Sequence, residues 1–362
     1  MPGKLISQFA LRFALIAAIL FVAVAPTQAA QSKSMSVADL ALYKGKDREQ
    51  VLLEGAKKEG QVTFYTSNTW MAGYVSQEFA KKYPFIKTNV WRNDSKELLK
   101  RLTEEAAAGR FIADVVETSP DYMALLRAGK TLQEVFSPEL GPYDNSVKVK
   151  GKNGVFHWTS RELYISLGFN TNFIPRAEAP KIMKDLLDSR WKGKMSIAGT
   201  TTGTQWIGAI VEGFGREFLE KIAAQDINVQ NISGAALAEL VASGEVPLSP
   251  TIFNSNIFVA KQKGAPVEWR PIDPVIATTG TSGMVVKAPN PHGALMFLDF
   301  LHSKEGQQAV LKGGLSSARN DLAAPEQKFK KVYIESKYSL DEMERKFAEW
   351  EGLKRRLFIS KR

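Results

Sequence analysis

The chain has 362 residues, 44% of them hydrophobic, a formal net charge of +10 and no cysteine. That length buries a large core and fits two domains or one two-lobed unit, while the missing thiols exclude disulfides, a Cys nucleophile and a lipid anchor on cysteine. The basic balance sits in runs such as Lys81-Lys82 and Lys354-Arg355-Arg356, which read as solvated faces, and no basic stripe with interleaved aromatics marks a nucleic-acid site.

Residues 1–29 read as an export signal: Lys4 and Arg12 precede an apolar run from Phe13 to Ala25, and Thr27-Gln28-Ala29 offers a cleavage site after Ala29. Removing it lowers the net charge to +8. The run is short for a membrane span of about 20 residues, and nothing later is as apolar. A soluble, unlipidated periplasmic protein of a Gram-negative cell is therefore expected.

From residue 47 the chain alternates helix and strand periods. Asp47 to Gln50 resembles a capping box, with Val51, Leu52 and Ala56 on one face of a helix stopped by Gly60. Val62 to Tyr65 is a strand breaking into the polar tip Thr66-Ser67-Asn68. Ala72 to Tyr83 is a helix closed by Pro84, and Lys87 to Trp91 a second strand. Ser95 is read as the cap of a helix to Gly109, and Ala113 to Glu117 as a third strand. Ser119 stands at N-cap and Pro120 at N1 of a helix through Arg127. Strand then helix at this spacing predicts βα units, a mainly parallel sheet and ligands at the carboxyl ends of the strands.

After a Gly/Pro-rich loop (141 to 154), Leu163 to Asn170 begins a second α/β block. It holds the strand Met195 to Ala198, the loop "AGTTTGTQW", an apolar helix from Trp206, a helix over 233 to 244 and a strand near 246 to 253. Gly264 to Pro274 reads as a crossing back to the apolar strand Gly283 to Val286. Asn290-Pro291 starts a helix through Leu301, Ser303 caps another to Gly313, and Ser339 with Glu342 opens a last helix carrying Leu340, Met343, Phe347 and Trp350 on one face.

The segments "DREQVLLEGAKKEGQVTFYTS", "ADVVETSPDYMALLRAGKTLQ", "LGFNTNFIP", "DLLDSRWKGKMSIA", "GAPVEW" and "GALMFLDFLHSKEGQQAV" resemble, in order, the bacterial extracellular solute-binding proteins of the iron(III)-transport type, receptors of ABC importers. The resemblance implies an α/β, two-lobed periplasmic-binding-protein fold (type II) whose crossing strands join two domains around a cleft. Lobe 1 would take 30–160 and about 272–320, lobe 2 161–271, and 321–362 a helical segment packed on both. It also implies a monomeric, cofactor-free binder that takes a small-molecule ligand and docks on an inner-membrane permease. Iron-binding members carry an adjacent tyrosine pair shortly before the block that here reads "GAPVEW". This chain has "TIFNSNIF" (251 to 258) there and no Tyr-Tyr pair anywhere. Neutral amides and hydroxyls are weak ferric ligands beside phenolates and suit an organic solute.

The expected ligand-binding residues are Thr66, Ser67, Asn68, Ser119, Arg161, Thr201, Thr202, Gly203, Thr204 and Asn254. Arg161 lies where similar binders place an Arg that meets an anion; a guanidinium is a bidentate partner for carboxylate or phosphate, and its bland alternative is pairing with a nearby Glu. Asn68 and Ser119 also qualify as helix caps, and the threonine loop as a plain turn. Glu117 could receive an amine or meet a basic side chain. The solute expected is a carboxylate, phosphonate or sugar phosphate. Three rivals stand beside it: ferric binding through Tyr65, Glu117 and an anion on Arg161; a polyamine held by Asp94, Glu117 and Asp121; and an exported serine hydrolase suggested by Ser189-Arg190-Trp191-Lys192, which lacks the accompanying motifs. His157, His292 and His302 are dispersed and read as structural.

Overall fold

The structure is a computed structural model that describes residues 35–322, 329–338 and 340–360; the expected signal, its cleavage point and the Ser339 cap lie outside them. The first stretch runs α1 (Val37–Ala41), α2 (Arg48–Glu59), β1 (Gln61–Thr66), α3 (Ser76–Lys82), β2 (Lys87–Arg92), α4 (Ser95–Ala107), β3 (Val115–Thr118) and α5 (Pro120–Ala128). Short strands β4 (Leu132–Gln133) and β5 (Lys148–Lys150) lead to the long β6 (Val155–Asn170). The second stretch runs β7 (Ser196–Ala198), α6 (Thr201–Phe214), α7 (Arg216–Ala223), β8 (Asn228–Gln230), α8 (Gly234–Ser243), β9 (Leu248–Phe253), α9 (Asn254–Gln262), β10 (Val267–Arg270) and β11 (Val275–Val285). The chain then forms α10 (Pro291–His302), α11 (Lys304–Lys312), β12 (Lys331–Val332), α12 (Ile334–Lys337) and α13 (Leu340–Lys354).

β1 pairs in parallel with both β2 and β3, and β11 lies antiparallel between β3 and β6, giving the order β10-β6-β11-β3-β1-β2. β6 starts eight residues before the expected Leu163, and β11 starts eight residues before the expected Gly283, directly after the expected crossing segment, which itself holds β10. Both are rich in β-branched and aromatic residues and almost wholly buried, as strands paired along both edges require. They tie two hydrophobic cores together. The first gathers Val62, Phe64, Phe79, Trp158, Met284, Phe297 and Leu301, between the parallel strands and α2, α3 and α10. The second gathers Leu167, Phe169, Trp206, Ile207, Ile210, Ile276 and Trp350. Trp350 of α13 lies fully buried against α6, where Gly208 leaves room: a Cβ there would come within 2.5 Å of the indole.

Three caps differ from the sequence expectation. Asp47 makes no cap bond to α2 and instead accepts the Tyr43 hydroxyl at 2.5 Å. Asp94, not Ser95, caps α4 by accepting the Glu97 N–H at 2.9 Å, since its carboxylate outcompetes the neighbouring hydroxyl. Asn290 gives its amide to Asp114 at 2.9 Å rather than to α10. Ser303 does cap α11, and Gly60, in the left-handed region at φ 67°, ends α2.

Candidate ligand site at the strand ends

Four neighbouring strands bring five residues together on the sheet near the carboxyl ends of β1 and β3. Thr66 pairs with Glu117 across β1 and β3, Glu117 with Ser282 across β3 and β11, and Gly280 with Arg161 across β11 and β6. Glu117 is fully buried and holds the row together: its Oε1 lies 2.9 Å from Arg161 Nε, and its Oε2 accepts the Thr66 hydroxyl at 2.5 Å. The pair passes directly over Gly280, where an added Cβ would lie 2.0 Å from Glu117 Oε1 and 2.6 Å from Arg161 Cζ. Arg161 is itself only 7% exposed. Nη1 and Nη2 meet no acceptor among the described residues, and neither is sealed from solvent as Nε is.

The strand tip beyond Thr66 is built from backbone. Ser67 donates its N–H to the Glu117 carbonyl at 3.0 Å, leaving its hydroxyl without a partner among the described residues. Asn68 acts as a cap: its Oδ1 accepts the N–H groups of Trp70 and Met71 at 3.0 and 3.1 Å. Ser119 stands at the N-cap of α5 as expected, but its hydroxyl donates to Asp121 at 2.5 Å and the N-terminus receives no side-chain cap.

The threonine loop is not a loop for most of its length. α6 begins at Thr201, five residues before the expected Trp206, with Thr200 as an N-cap whose side chain caps nothing. The Thr201 and Thr202 N–H groups find no acceptor among the described residues. An uncapped helix start presents donors and the positive end of the helix dipole together. Thr201 is exposed and Thr202 nearly buried, and neither hydroxyl has a partner among the described residues. Gly203 has a packing role, since a Cβ there would strike the Ala198 carbonyl at 1.9 Å. Thr204 faces α13: it donates to Glu351 at 2.6 Å and accepts from the buried Lys354 at 2.9 Å. Lys354 also donates to the Gly199 carbonyl at 2.6 Å, fixing the turn that precedes α6.

Asn254 opens α9, and both ends of its amide are engaged. Oδ1 accepts the Tyr164 N–H at 2.9 Å, three residues beyond Arg161 on β6, and Nδ2 donates to Ser316 at 3.1 Å. The expected residues thus gather in two groups. Thr66, Ser67 and Arg161 meet around Glu117, whereas Thr201 to Thr204 form the first turn of α6, where Thr204 meets α13. Sequence reasoning named Glu117 only as an open question, missed Gly280, and read Lys354 as part of a solvated basic run, whereas Lys354 is 1% exposed; its acceptors lie about 150 residues away, so the local run carries no sign of its burial.

The three histidines are dispersed; His157 is buried, and its Nδ1 has no hydrogen-bond partner among the described residues. His292 Nδ1 lies 2.6 Å from Glu59, and His302 stacks on Trp158 with ring centroids 3.9 Å apart. Burial lowers the pKa of His302 to about 3 and that of His157 to about 4. Ser189 and Lys192 are exposed on a surface 3₁₀ turn.

Comparison with known proteins decides the family, because the family model for bacterial extracellular solute-binding proteins matches residues 94–335, well over half of the chain. The chain belongs to that family. This solute-binding protein is 27% identical over 282 residues to an uncharacterised protein of Haemophilus influenzae, a match covering 72% of this chain and 78% of the relative. Among solved structures it is similar to iron-bound HitA from Pseudomonas aeruginosa, with TM-score 0.62 and 19% identity over 80% of this chain and 99% of that one. It is similar also to AfuA from Actinobacillus pleuropneumoniae with fructose-6-phosphate bound, with TM-score 0.61 and 23% identity over 83% and 99%. The fold is accordingly the two-lobed one of periplasmic binding proteins. The solute-binding protein is a periplasmic component of an ABC import system, with a small-molecule ligand and a permease as its partners.

Proposed function

We propose that the protein captures a small anionic organic solute, a carboxylate, phosphonate or sugar phosphate, in the cleft between its lobes and delivers it to the permease. The observation that carries this reading is Arg161, a guanidinium sunk at the strand ends with its outer edge open to solvent. A buried, oriented guanidinium is a strong bidentate donor to an oxyanion. The open first turn of α6 and the free hydroxyls of Ser67, Thr201 and Thr202 add donors of the same sign of preference. Thr66, Asn68, Ser119, Gly203, Thr204 and Asn254 then serve as the frame that holds those donors.

The engaged groups count against the other readings. Tyr65 donates its hydroxyl to Glu105 at 2.7 Å, and burial raises its pKa further, so it is a poor source of phenolate for ferric iron. Of the acids that would grip a polyamine, Asp94 caps α4, Asp121 accepts Ser119 and Glu117 faces Arg161. On one fold, HitA is described with iron and AfuA with a sugar phosphate, so the ligand follows from the residues at the site rather than from the fold. A thermal-shift screen of carboxylates, phosphonates, sugar phosphates, ferric salts and polyamines tests the proposal, because a ligand of the native state raises the melting point by mass action. Anionic organic compounds should shift it; a shift with ferric salts or polyamines alone would refute the reading.

A further inference from the structure

Arg161 does not offer its whole charge to a ligand. Glu117 lies against its Nε at 2.9 Å, both side chains are buried, and the Thr66 hydroxyl holds the second carboxylate oxygen at 2.5 Å. We propose that Glu117 is a positioning and charge-selecting residue for Arg161, so that the site takes a singly charged carboxylate in preference to a doubly charged phosphate ester. This rests on the anion-receptor reading and narrows its ligand class.

The argument is one of geometry and charge. Nε, 2.9 Å from Glu117 Oε1, is sealed from solvent while Nη1 and Nη2 are not, so the guanidinium offers its Nη1–Nη2 edge, an end-on fork that matches the two oxygens of a carboxylate. Gly280 lets the pair lie flat on the sheet, and the Thr66 hydroxyl is fixed in turn, accepting the Asn68 N–H at 3.1 Å. The fork is therefore oriented before any ligand arrives. As to charge, the guanidinium and carboxylate sum to zero. A monoanion is matched by the oriented donors of the fork. A dianion would bring a second negative charge close to Glu117, and repulsion between buried like charges is weakly screened.

The test measures dissociation constants by calorimetry for two probes of similar size, gluconate and glucose 6-phosphate, at a pH where the ester carries two charges. Four proteins are compared: the wild type, Glu117→Gln, Thr66→Val and Arg161→Ala. The wild type should bind gluconate at least tenfold more tightly. Glu117→Gln keeps the size and shape of the side chain beside Nε and removes the charge, so the preference should shift at least tenfold toward the phosphate ester. Thr66→Val loosens the fork without altering charge and should weaken both probes severalfold at an unchanged ratio; this separates charge selection from mere support. A wild type that prefers the ester or binds neither probe overturns the proposal, as does a ratio unmoved in Glu117→Gln. If Glu117→Gln does not fold, the wild-type preference and the constant ratio in Thr66→Val decide. Arg161→Ala should lose both probes. If it retains them while the other results hold, the anion-receptor reading itself fails, an outcome distinct from failure of the charge argument.

Discussion

The two candidate walls of the site treat their polar groups in opposite ways. Around β1 and β3, side chains face one another: Thr66 donates to Glu117, Glu117 lies against Arg161, and Asn68 accepts the N–H groups of Trp70 and Met71, while Arg161 keeps an outer edge and Ser67 a hydroxyl without a partner among the described residues. At the start of α6 the polar side chain best placed as an anchor, Thr204, turns away to Lys354 and Glu351, and what is left open is backbone N–H and two hydroxyls. One wall offers a single fixed charge in a rigid frame, the other a helix start without one. Counting polar residues on a loop therefore misjudges both walls; what counts is which donors the fold leaves unpaired.

Substitutions can break each wall separately. The largest effect is expected at Gly280, where Ala would push a methyl group into Glu117 and Arg161 and leave buried charges unpaired, costing about 3–5 kcal/mol in denaturant unfolding and abolishing anion binding. On the second wall, Lys354→Met removes the donor to Gly199 and Thr204 and should cost about 2–3 kcal/mol, with faster hydrogen exchange in α13 and the first turn of α6.

Acid should also separate the two regions, since His157 and His302 belong to the first. With folded pKa values near 4 and 3 against an ordinary value of 6.5, the unfolded chain binds protons first as pH falls, and stability drops from pH 6.5 downward. Asp114 works oppositely: burial raises its pKa to about 6, so the folded state gains relative stability as pH falls through that value. Two histidines outweigh one aspartate, leaving a loss of about 2 kcal/mol by pH 5. Exchange protection should fail first around Trp158 and α10, and only later around Trp206 and Trp350. The smallest effect is a gain: Thr200→Asp supplies the missing cap of α6, raising apo stability by about 0.5–1 kcal/mol while weakening anion binding. Tighter binding in that variant would remove the α6 N-terminus from the site.

Much of the fold was legible because its signals are local. The strand-helix alternation, the Gly60 stop and the Ser303 cap depend on residues a few positions apart. The misreadings arose where distant partners intervene. α6 starts early because Gly203 packs on Ala198 and Lys354, 155 residues after Gly199, pins the turn before it. β6 and β11 ran longer than expected because each is paired on both edges, which no single-strand pattern shows. At the site, Arg161 could be suspected from its place in the chain, but its partner Glu117 lies on another strand and the glycine between them on a third. Asn254 looked available because its engagement with Tyr164 and Ser316 depends on tertiary structure alone.

The central claim is that donors left unpaired by the fold, not polar residues as such, grip the solute. Calorimetric titration of an anionic hit from the thermal-shift screen into Arg161→Ala and Thr204→Val tests it most directly. Loss of a buried charged donor is worth about 1.5–3 kcal/mol, or roughly 10- to 100-fold in affinity. The account predicts a loss of that size in Arg161→Ala and a change of less than about threefold in Thr204→Val, together with a lower melting point, since Thr204 serves α13. Full affinity in Arg161→Ala, or a large loss confined to Thr204→Val, would contradict it.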